Sequence, residues 1–271
     1  MALFVRESGP IDAPAIVFLH GGLMSGWTWD PVVERLQHYH CLVPDLPQYG
    51  KSFGQGPFEM GRAADEVAEL IRTRVGTGRA HLVGFSLGAQ VGVALLASQP
   101  NLVERAVLSS TLVNTLPAVG LTRRLAGLFA RTALFRWLLI TRHWDAGHAA
   151  KNEGYDEDAR LNSGAQLAHI AIASAGFTVP EGLEKSDVPT LFVTGTEELP
   201  VIRRWAALLA QSMPNGVDRV AEGMGHDWPL HHPDLFARTA DAWLSGGALP
   251  AELVARPARE REGRRRGRSR R

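Results

Sequence analysis

The stretch Gly84-Phe85-Ser86-Leu87-Gly88 is the most informative part of this chain. It follows the apolar run Ala80-His81-Leu82-Val83 and opens a segment, residues 87–98, that is rich in small side chains. A serine between two glycines at a strand-to-helix junction stands on a sharp turn that exposes its hydroxyl at the edge of a sheet. The helix that follows directs its N-terminal N–H groups to the same place. We therefore interpret Ser86 as a nucleophile.

Short apolar runs recur on both sides of this motif, separated by segments of helical periodicity. The runs are apolar throughout, which is typical of strands buried on both faces of a parallel sheet. The alternation predicts an α/β fold with a mostly parallel central sheet flanked by helices. The runs are residues 15–19, 41–45, 80–84, 105–109, 190–194 and, more weakly, 217–220; the predicted helices are 30–38, 63–75, 87–98, 202–211 and 233–244.

The alternation stops between residues 112 and 180, where helical periodicity replaces the strand signal. We predict a helical cap at 112–180, inserted into a core formed by residues 1–111 and 181–247. The arginines at 131, 136 and 142 argue against a membrane helix here. The apolar faces of its three expected helices are Leu121, Leu125, Leu128 and Phe129; Leu134, Trp137, Leu138 and Ile140; and Leu161, Ala165, Ala168 and Ile172, the third helix spanning 156–177.

Composition narrows the class of protein. The chain has 271 residues, of which 45% are hydrophobic, so it can form a large core without disulfides. Its single cysteine, Cys41, lies in an apolar run and is expected in the core. The sequence has no signal peptide at its start and no window of 18 apolar residues, which predicts a cytoplasmic protein without a membrane span.

Positive charge is concentrated at the C-terminus. Residues 255–271 contain nine arginines and two glutamates, a net charge of +7, which leaves −6 on the rest of the chain. We predict that residues 248–271 form a disordered, solvated tail, with a tether to nucleic acid or acidic membrane as the alternative. The acidic body argues against a dedicated nucleic-acid domain.

Two further loops supply groups that a nucleophilic serine needs. His20-Gly21-Gly22-Leu23 follows the first apolar run, and an oxyanion hole requires two convergent backbone N–H donors. We expect these from Leu87 and from Gly22, with Leu23 as the alternative to Gly22, and expect His20 to pin the loop. His226, after the sixth run, is the predicted general base; His231 and His232 are its alternatives.

A serine–histidine pair also needs an acid to hold the imidazole. The strand-like run at 190–194 is followed by two carboxylates, Glu197 and Glu198. The order serine, acid, histidine along the chain is the one in which this type of site is built on an α/β sheet.

With these motifs the chain resembles the α/β-hydrolase fold family, in its serine esterase branch with a helical cap, over residues 3–247. In that family the acid often ends a Gly-x-x-Asp motif, which implies Glu198 here, with Glu197 as the alternative. The family pattern Asp-x-Pro-Gly-His-Gly-x-Ser reads Asp45-Leu-Pro-Gln48-Tyr49-Gly50-Lys-Ser52, so it departs at Gln48 and Tyr49. The first hairpin is shortened, which implies seven or eight strands.

The resemblance implies a cofactor-free serine hydrolase that cleaves small to medium apolar carboxylic esters through an acyl-enzyme. Related dehalogenases and epoxide hydrolases use an aspartate where this chain has Ser86. The alternatives are a C–C bond hydrolase, lactonase or perhydrolase-like enzyme on the same residues, or a ligand-binding or signalling protein. We predict no metal and no nucleotide cofactor. The expected partner is a small-molecule ester, and the oligomeric state stays open.

Apolar side chains near the motifs and in the cap predict the lining of a substrate pocket. The candidates are Leu23, Phe85, Trp137 and Trp144, with Trp27, Trp29 and Tyr155 as further aromatic residues.

Overall fold

The computed structural model describes residues 2–115, 124–125, 128, 153–161 and 164–256. Its strands form one eight-stranded sheet in the order β1-β3-β2-β4-β5-β6-β7-β8. The strands from β2 to β7 run parallel, and β1 and β8 pair antiparallel at the two edges. The strands are β1 (Val5–Ser8), β2 (Ala15–Leu19), β3 (His40–Pro44), β4 (Ala80–Phe85), β5 (Val103–Ser109), β6 (Thr190–Gly195), β7 (Gly216–Ala221) and β8 (Leu253–Val254). The predicted α/β class and strand number are confirmed.

Helices cover both faces of the sheet. Four of the five helices predicted outside the cap agree with the structure to within three residues at either end. The fifth, predicted at 30–38, is shorter, because from Arg35 onward the backbone N–H groups bond to carbonyls three residues back and the helix becomes turns. The described α-helices are α1 (Asp30–Val33), α2 (Met60–Arg74), α3 (Leu87–Ser98), α4 (Glu153–Leu161), α5 (Gly164–Ala175), α6 (Pro200–Gln211), α7 (Trp228–His231) and α8 (Pro233–Ser245).

Each central strand contributes side chains to two separate cores. In β2, Val17 and Leu19 join the cluster under α2, α3 and α6, whereas Ile16 and Phe18 join the cluster under α1, α7 and α8. All four side chains are fully buried. Successive side chains therefore point to opposite faces of the sheet, but both faces are covered by apolar cores. This explains why the strand segments are apolar throughout and do not alternate with polar residues.

The two glycines of the serine motif are required by close backbone contacts. A Cβ on Gly88 would lie 2.2 Å from the carbonyl oxygen of Leu19, so α3 can begin against the end of β2 only if this residue has no side chain. A Cβ on Gly84 would lie 2.9 Å from the carbonyl oxygen of Gly88. Position 84 thus requires glycine because the turn itself is tight, whereas position 88 requires glycine because β2 lies against it.

The described part of the predicted cap includes α4 and α5, two helices where periodicity predicted one over 156–177. Gln90 of α3 is fully buried and donates hydrogen bonds to the carbonyl oxygens of Leu112 and Ser174, at 2.9 and 3.1 Å. One core side chain therefore contacts the backbone near both ends of the predicted insertion. The expected helix around residues 134–140 lies outside the described residues, as does most of the one around 121–129.

The expectation that residues 248–271 form a disordered tail is wrong for its first part. Leu253 and Val254 form β8, and the side chain of Leu253 is buried in the cluster under α8. Arg256 is also buried and lies 3.4 Å from the carboxylate of Asp218 on β7. Residues 253–254 pair with the backbone of β7, and the side chain of Leu253 packs into this cluster. The composition of the segment indicated neither contact. Residues 257–271 lie outside the described residues.

None of the helices in the described ranges combines the length and the hydropathy that a membrane span requires.

Replacing Gly88 by alanine tests whether the close contact with β2 outweighs the gain in helix propensity. We expect Gly88→Ala to lower the free energy of unfolding by about 1–3 kcal/mol or more, because its Cβ would meet the backbone of β2. The matched control is Gly61→Ala in α2, where a Cβ would meet nothing within 4 Å and alanine should stabilise the helix by up to about 1 kcal/mol. Urea unfolding of both variants measures the difference, and equal effects would contradict the contact at Gly88.

Candidate active site

The candidate residues lie at one edge of the sheet. Because the carboxyl ends of parallel strands meet there, the loops after β2, β4, β5, β6 and β7 are neighbours. These loops carry, in that order, Gly22, Ser86, Ser110, Glu198 and His226.

Ser86 occupies a strained turn between β4 and α3. Its φ and ψ are 51° and −109°, a conformation that costs a non-glycine residue about 1–3 kcal/mol and persists only where neighbours hold it. The N–H of Ser86 donates to the carbonyl oxygen of Ser109 at 2.9 Å, and its carbonyl accepts from the N–H of Gln90 at 3.1 Å. These two bonds hold the turn from the neighbouring strand and from the helix.

His226 links Ser86 to a buried carboxylate. Its Nε2 lies 3.2 Å from Ser86 Oγ, and its Nδ1 lies 3.0 Å from Glu198 Oε2. The tautomer with a proton on Nδ1 satisfies both contacts, since Nδ1–H donates to the carboxylate and Nε2 accepts from the serine hydroxyl. The structure thus brings together three side chains that are far apart in the sequence.

Of the two adjacent glutamates, Glu198 is the one that meets His226. Its side chain has no exposed surface, and Oε1 accepts hydrogen bonds from the N–H of Gly195 at 2.9 Å and from Ser110 Oγ at 2.7 Å. Glu197 is exposed, and its backbone N–H donates to the carbonyl oxygen of Met224 at 2.9 Å. Glu198 therefore has three donors, which a buried carboxylate requires.

Gly195 allows the acidic loop and the histidine loop to touch. A Cβ at this position would lie 1.9 Å from the carbonyl oxygen of Met224, two residues before His226. Arg203 of α6 holds the same loop from outside, since its Nη1 donates to the carbonyl oxygens of Thr196 and Glu198, both at 2.6 Å.

Gly22 and Leu87, the two predicted oxyanion donors, lie next to each other. A Cβ on Gly22 would be 4.0 Å from Leu87 Cβ, and within the part of the chain that the structure describes neither backbone N–H donates a hydrogen bond. The loop is held by His20, which is fully buried. Its Nδ1–H donates to the carbonyl of Gly21 at 2.8 Å, and its Nε2 accepts from the N–H of Leu46 at 2.9 Å. Burial lowers the pKa of His20, so the ring stays neutral in this role.

The alternative histidines lie elsewhere. His231 is exposed and pairs with Asp227 at 3.0 Å, and His232 is exposed at the start of α8. Among the described residues no group of three histidine, cysteine, aspartate or glutamate side chains is arranged to hold a metal ion. Burial raises the pKa of Cys41 to about 12, which is the behaviour of a core thiol.

Comparison with known proteins identifies the family. A sequence model of the alpha/beta hydrolase family matches residues 16–239. The chain belongs to the α/β hydrolase family. An "AB hydrolase superfamily protein" of Gibberella zeae is 34% identical over 92% of this chain and 86% of its own length. The resemblance inferred from the motifs is therefore confirmed.

Two more distant matches agree with this assignment. A pimeloyl-(acyl-carrier protein) methyl ester esterase of Pectobacterium atrosepticum is 27% identical over 84% of this chain and 93% of its own. The crystal structure of an enol-lactonase from Burkholderia xenovorans superimposes with a TM-score of 0.74 over 90% of this chain and 96% of the other, at 24% identity. That structural likeness concerns the fold.

The expected pocket residues of this hydrolase have different surroundings. Leu23 is half-buried directly after Gly22, with φ at +74°. Phe85 is only 2% exposed, and its ring centroid lies 5.3 Å from that of His226, so it supports the imidazole and has little surface left for a substrate. Trp137 and Trp144 lie outside the described residues. Of the further aromatic residues, Trp29 is buried in the core beneath α8.

Gln48 stabilises the loop of residues 45–52, which departs from the family pattern. This residue has φ at +71°, a region that favours the glycine of the family pattern. Its side-chain carbonyl accepts from the N–H of Phe58 at 2.9 Å, which ties the unfavourable conformation to the next segment. Tyr49 is buried with its ring edge-on to His20, 4.9 Å between centroids. Both substitutions thus support the loop beneath Gly22.

Sequence reasoning missed Asp158 of α4, which binds the loop that carries Gly22. Its Oδ2 accepts hydrogen bonds from the N–H of Ser25 and from Trp27 Nε1, both at 2.7 Å, and the residue is 4% exposed. Burial is the main reason that the pKa of Asp158 is raised to about 6, with Asp45 adding a like charge and the two donors opposing the shift. One polar residue in an amphipathic helix carries no signal for such a contact.

The Asp158 contact predicts a pH-dependent stability. The carboxyl has a pKa of about 6 in the folded protein and an ordinary value of 3.8, so between these values the folded state binds more protons than the unfolded chain. Stability contributed by this residue therefore falls as the pH rises through that window. Asp158→Asn keeps an acceptor oxygen but carries no charge. As the pH rises from about 4 to about 7, its free energy of unfolding should therefore increase relative to that of wild type by up to roughly 3 kcal/mol.

Thermal unfolding of wild type and Asp158→Asn across this range measures the effect, with the exposed Asp12→Asn as the control that should follow wild type. A difference between Asp158→Asn and wild type that does not change with pH would contradict a buried, titrating carboxyl.

Proposed function

We propose that this chain is a serine hydrolase that cleaves carboxylic esters through an acyl-enzyme on Ser86. The observation that carries the proposal is the unbroken line of contacts from Ser86 Oγ to His226 Nε2, at 3.2 Å, and from His226 Nδ1 to the buried Glu198, at 3.0 Å. A nucleophile hydrogen-bonded to a base that is itself oriented by a third group is the arrangement of acyl-transfer enzymes.

In the first half of the reaction Ser86 Oγ attacks the ester carbonyl carbon while His226 Nε2 takes the hydroxyl proton. The carboxylate of Glu198 holds the ring in the required tautomer and stabilises its positive charge. The carbonyl oxygen becomes an oxyanion, which the N–H groups of Gly22 and Leu87 bind; such donors contribute most where water is excluded. His226 then returns the proton to the departing alkoxide, so an alcohol leaves and an ester to Ser86 remains.

In the second half water replaces the alcohol. His226 Nε2 removes a proton from the water as its oxygen attacks the acyl carbon, and the second oxyanion binds to the same two N–H groups. Collapse of this intermediate releases the carboxylic acid and returns the proton to Ser86 Oγ. Each half uses the same base, acid and donors, and no further reactant is needed.

The ester bond is favoured by the relative named as a methyl ester esterase, which aligns over 84% of this chain. For the substrate we propose a small or medium apolar acyl or alcohol group. Leu23 lies beside Gly22 and is apolar, and the predicted cap residues Trp137 and Trp144 would add aromatic surface. The cap itself should exclude very large substrates.

Steady-state hydrolysis of short and medium p-nitrophenyl esters tests the proposal. Wild type should turn over many times, and Ser86→Ala and His226→Ala should lower kcat by roughly 10,000-fold or more, because each removes a reacting group. Glu198→Ala should lower kcat by roughly 1,000- to 10,000-fold, since the base loses its orienting partner.

The matched control is Glu197→Ala, the adjacent exposed glutamate, which should keep activity within about 2-fold. Loss of activity in Glu197→Ala with retention in Glu198→Ala would reject the assignment of the acid. A single slow turnover by wild type would reject the esterase and favour a ligand-binding protein.

A further inference from the structure

The end of β5 contacts each of the three residues of the proposed site. The carbonyl oxygen of Ser109 accepts from the N–H of Ser86 at 2.9 Å. Ser110 Oγ lies 2.7 Å from Glu198 Oε1 and 3.2 Å from the carbonyl oxygen of His226. Two consecutive residues of one strand end therefore meet the nucleophile, the acid and the base.

Ser110 is held in a conformation that a serine does not favour. Its φ is +57°, in the left-handed region, which costs about 1–2 kcal/mol for a residue with a Cβ. The residue is fully buried, and its N–H donates to the carbonyl oxygen of Val193 in β6 at 2.8 Å. Glycine would adopt this turn without strain, so the presence of a serine points to a use for its hydroxyl.

The hydroxyl supplies what the acid would otherwise lack. Without it, Glu198 Oε1 keeps a single donor, the N–H of Gly195 at 2.9 Å, and the carboxylate can rotate about that bond. A hydroxyl has one proton, and its shorter and charge-assisted contact is to the carboxylate. Two donors from different strands define the plane in which Oε2 faces His226.

We infer that Ser110 is a positioning residue that fixes the carboxylate of Glu198 for its contact with His226. The inference rests on the proposed function, because it assigns Ser110 a part in the same reaction. Ser110 acts through Glu198 and does not touch the substrate. Its removal should lower kcat and leave KM unchanged, since a misplaced acid weakens the base and not the binding of the ester.

The test compares Ser110→Gly and Ser110→Ala in wild type and in a Glu198→Ala background. Both variants lack the hydroxyl, but glycine relieves the backbone strain at φ +57° and alanine does not, so their stabilities differ while their chemistry is the same. We expect both to lower kcat for p-nitrophenyl esters by about 10- to 100-fold at unchanged KM. In the Glu198→Ala background the same changes should alter kcat by less than about 2-fold.

Thr111→Val is the matched control. Thr111 follows Ser110, is 1% exposed, and its hydroxyl has no hydrogen-bond partner among the described residues, so valine should leave kcat within about 2-fold. The rate at which a fluorophosphonate labels Ser86 provides a second readout of serine reactivity that needs no turnover.

Two results would overturn the inference. One is an equal loss of kcat from Ser110→Gly with and without Glu198, which indicates a structural role. The other is full activity and full labelling rate in both Ser110 variants. Wild type that is labelled but does not cycle rejects the proposed esterase alone, since the labelling rates of the variants still test Ser110. Wild type that is neither labelled nor active rejects both.

Discussion

The arrangement of this site depends on the hydrogen bonds that the buried carboxylate of Glu198 accepts. A carboxylate taken out of water destabilises the fold by several kcal/mol unless donors surround it. Here the donors come from three places in the sheet: the N–H of Gly195 at the end of β6, the hydroxyl of Ser110 at the end of β5, and Nδ1 of His226 after β7. The charge is therefore tolerated only when three strands are in register, which couples the geometry of the site to the folding of the sheet.

Close approach of backbones makes this arrangement possible. Gly88 lets α3 start against the end of β2, and Gly195 lets the loop before His226 lie on the end of β6. Ser86 and Ser110, which both have positive φ, lie between these contacts, and the parallel neighbours β5 and β6 accept the hydrogen bonds that hold them. Strain is thus concentrated at the carboxyl edge, where the rigid ladder behind it can maintain unfavourable conformations.

The predicted cap is joined to the core at positions that matter for the site. Asp158 of α4 binds the loop that carries Gly22, and Gln166 of α5 donates to the carbonyl oxygen of Gln48 at 2.5 Å, in the loop beneath it. The helices that would enclose a substrate therefore also hold the backbone that would bind the oxyanion.

Local patterns in the sequence were sufficient to predict the α/β class, the turn at Ser86, the helix that follows it and the loops that carry His226 and the two glutamates. These features depend on residues within a few positions of each other, and local patterns report such neighbours. The family motif implied Glu198 but left Glu197 open, and the contact of Glu198 with His226 is seen only in the tertiary structure. The pairing of residues 253–254 with the sheet and the contacts of Ser110 and Asp158 had no sequence signal at all. The contacts Ser110–Glu198 and Ser25–Asp158 span 88 and 133 positions. No local pattern encodes such pairs, because they form only when the strands pair in the sheet and the helices pack against it.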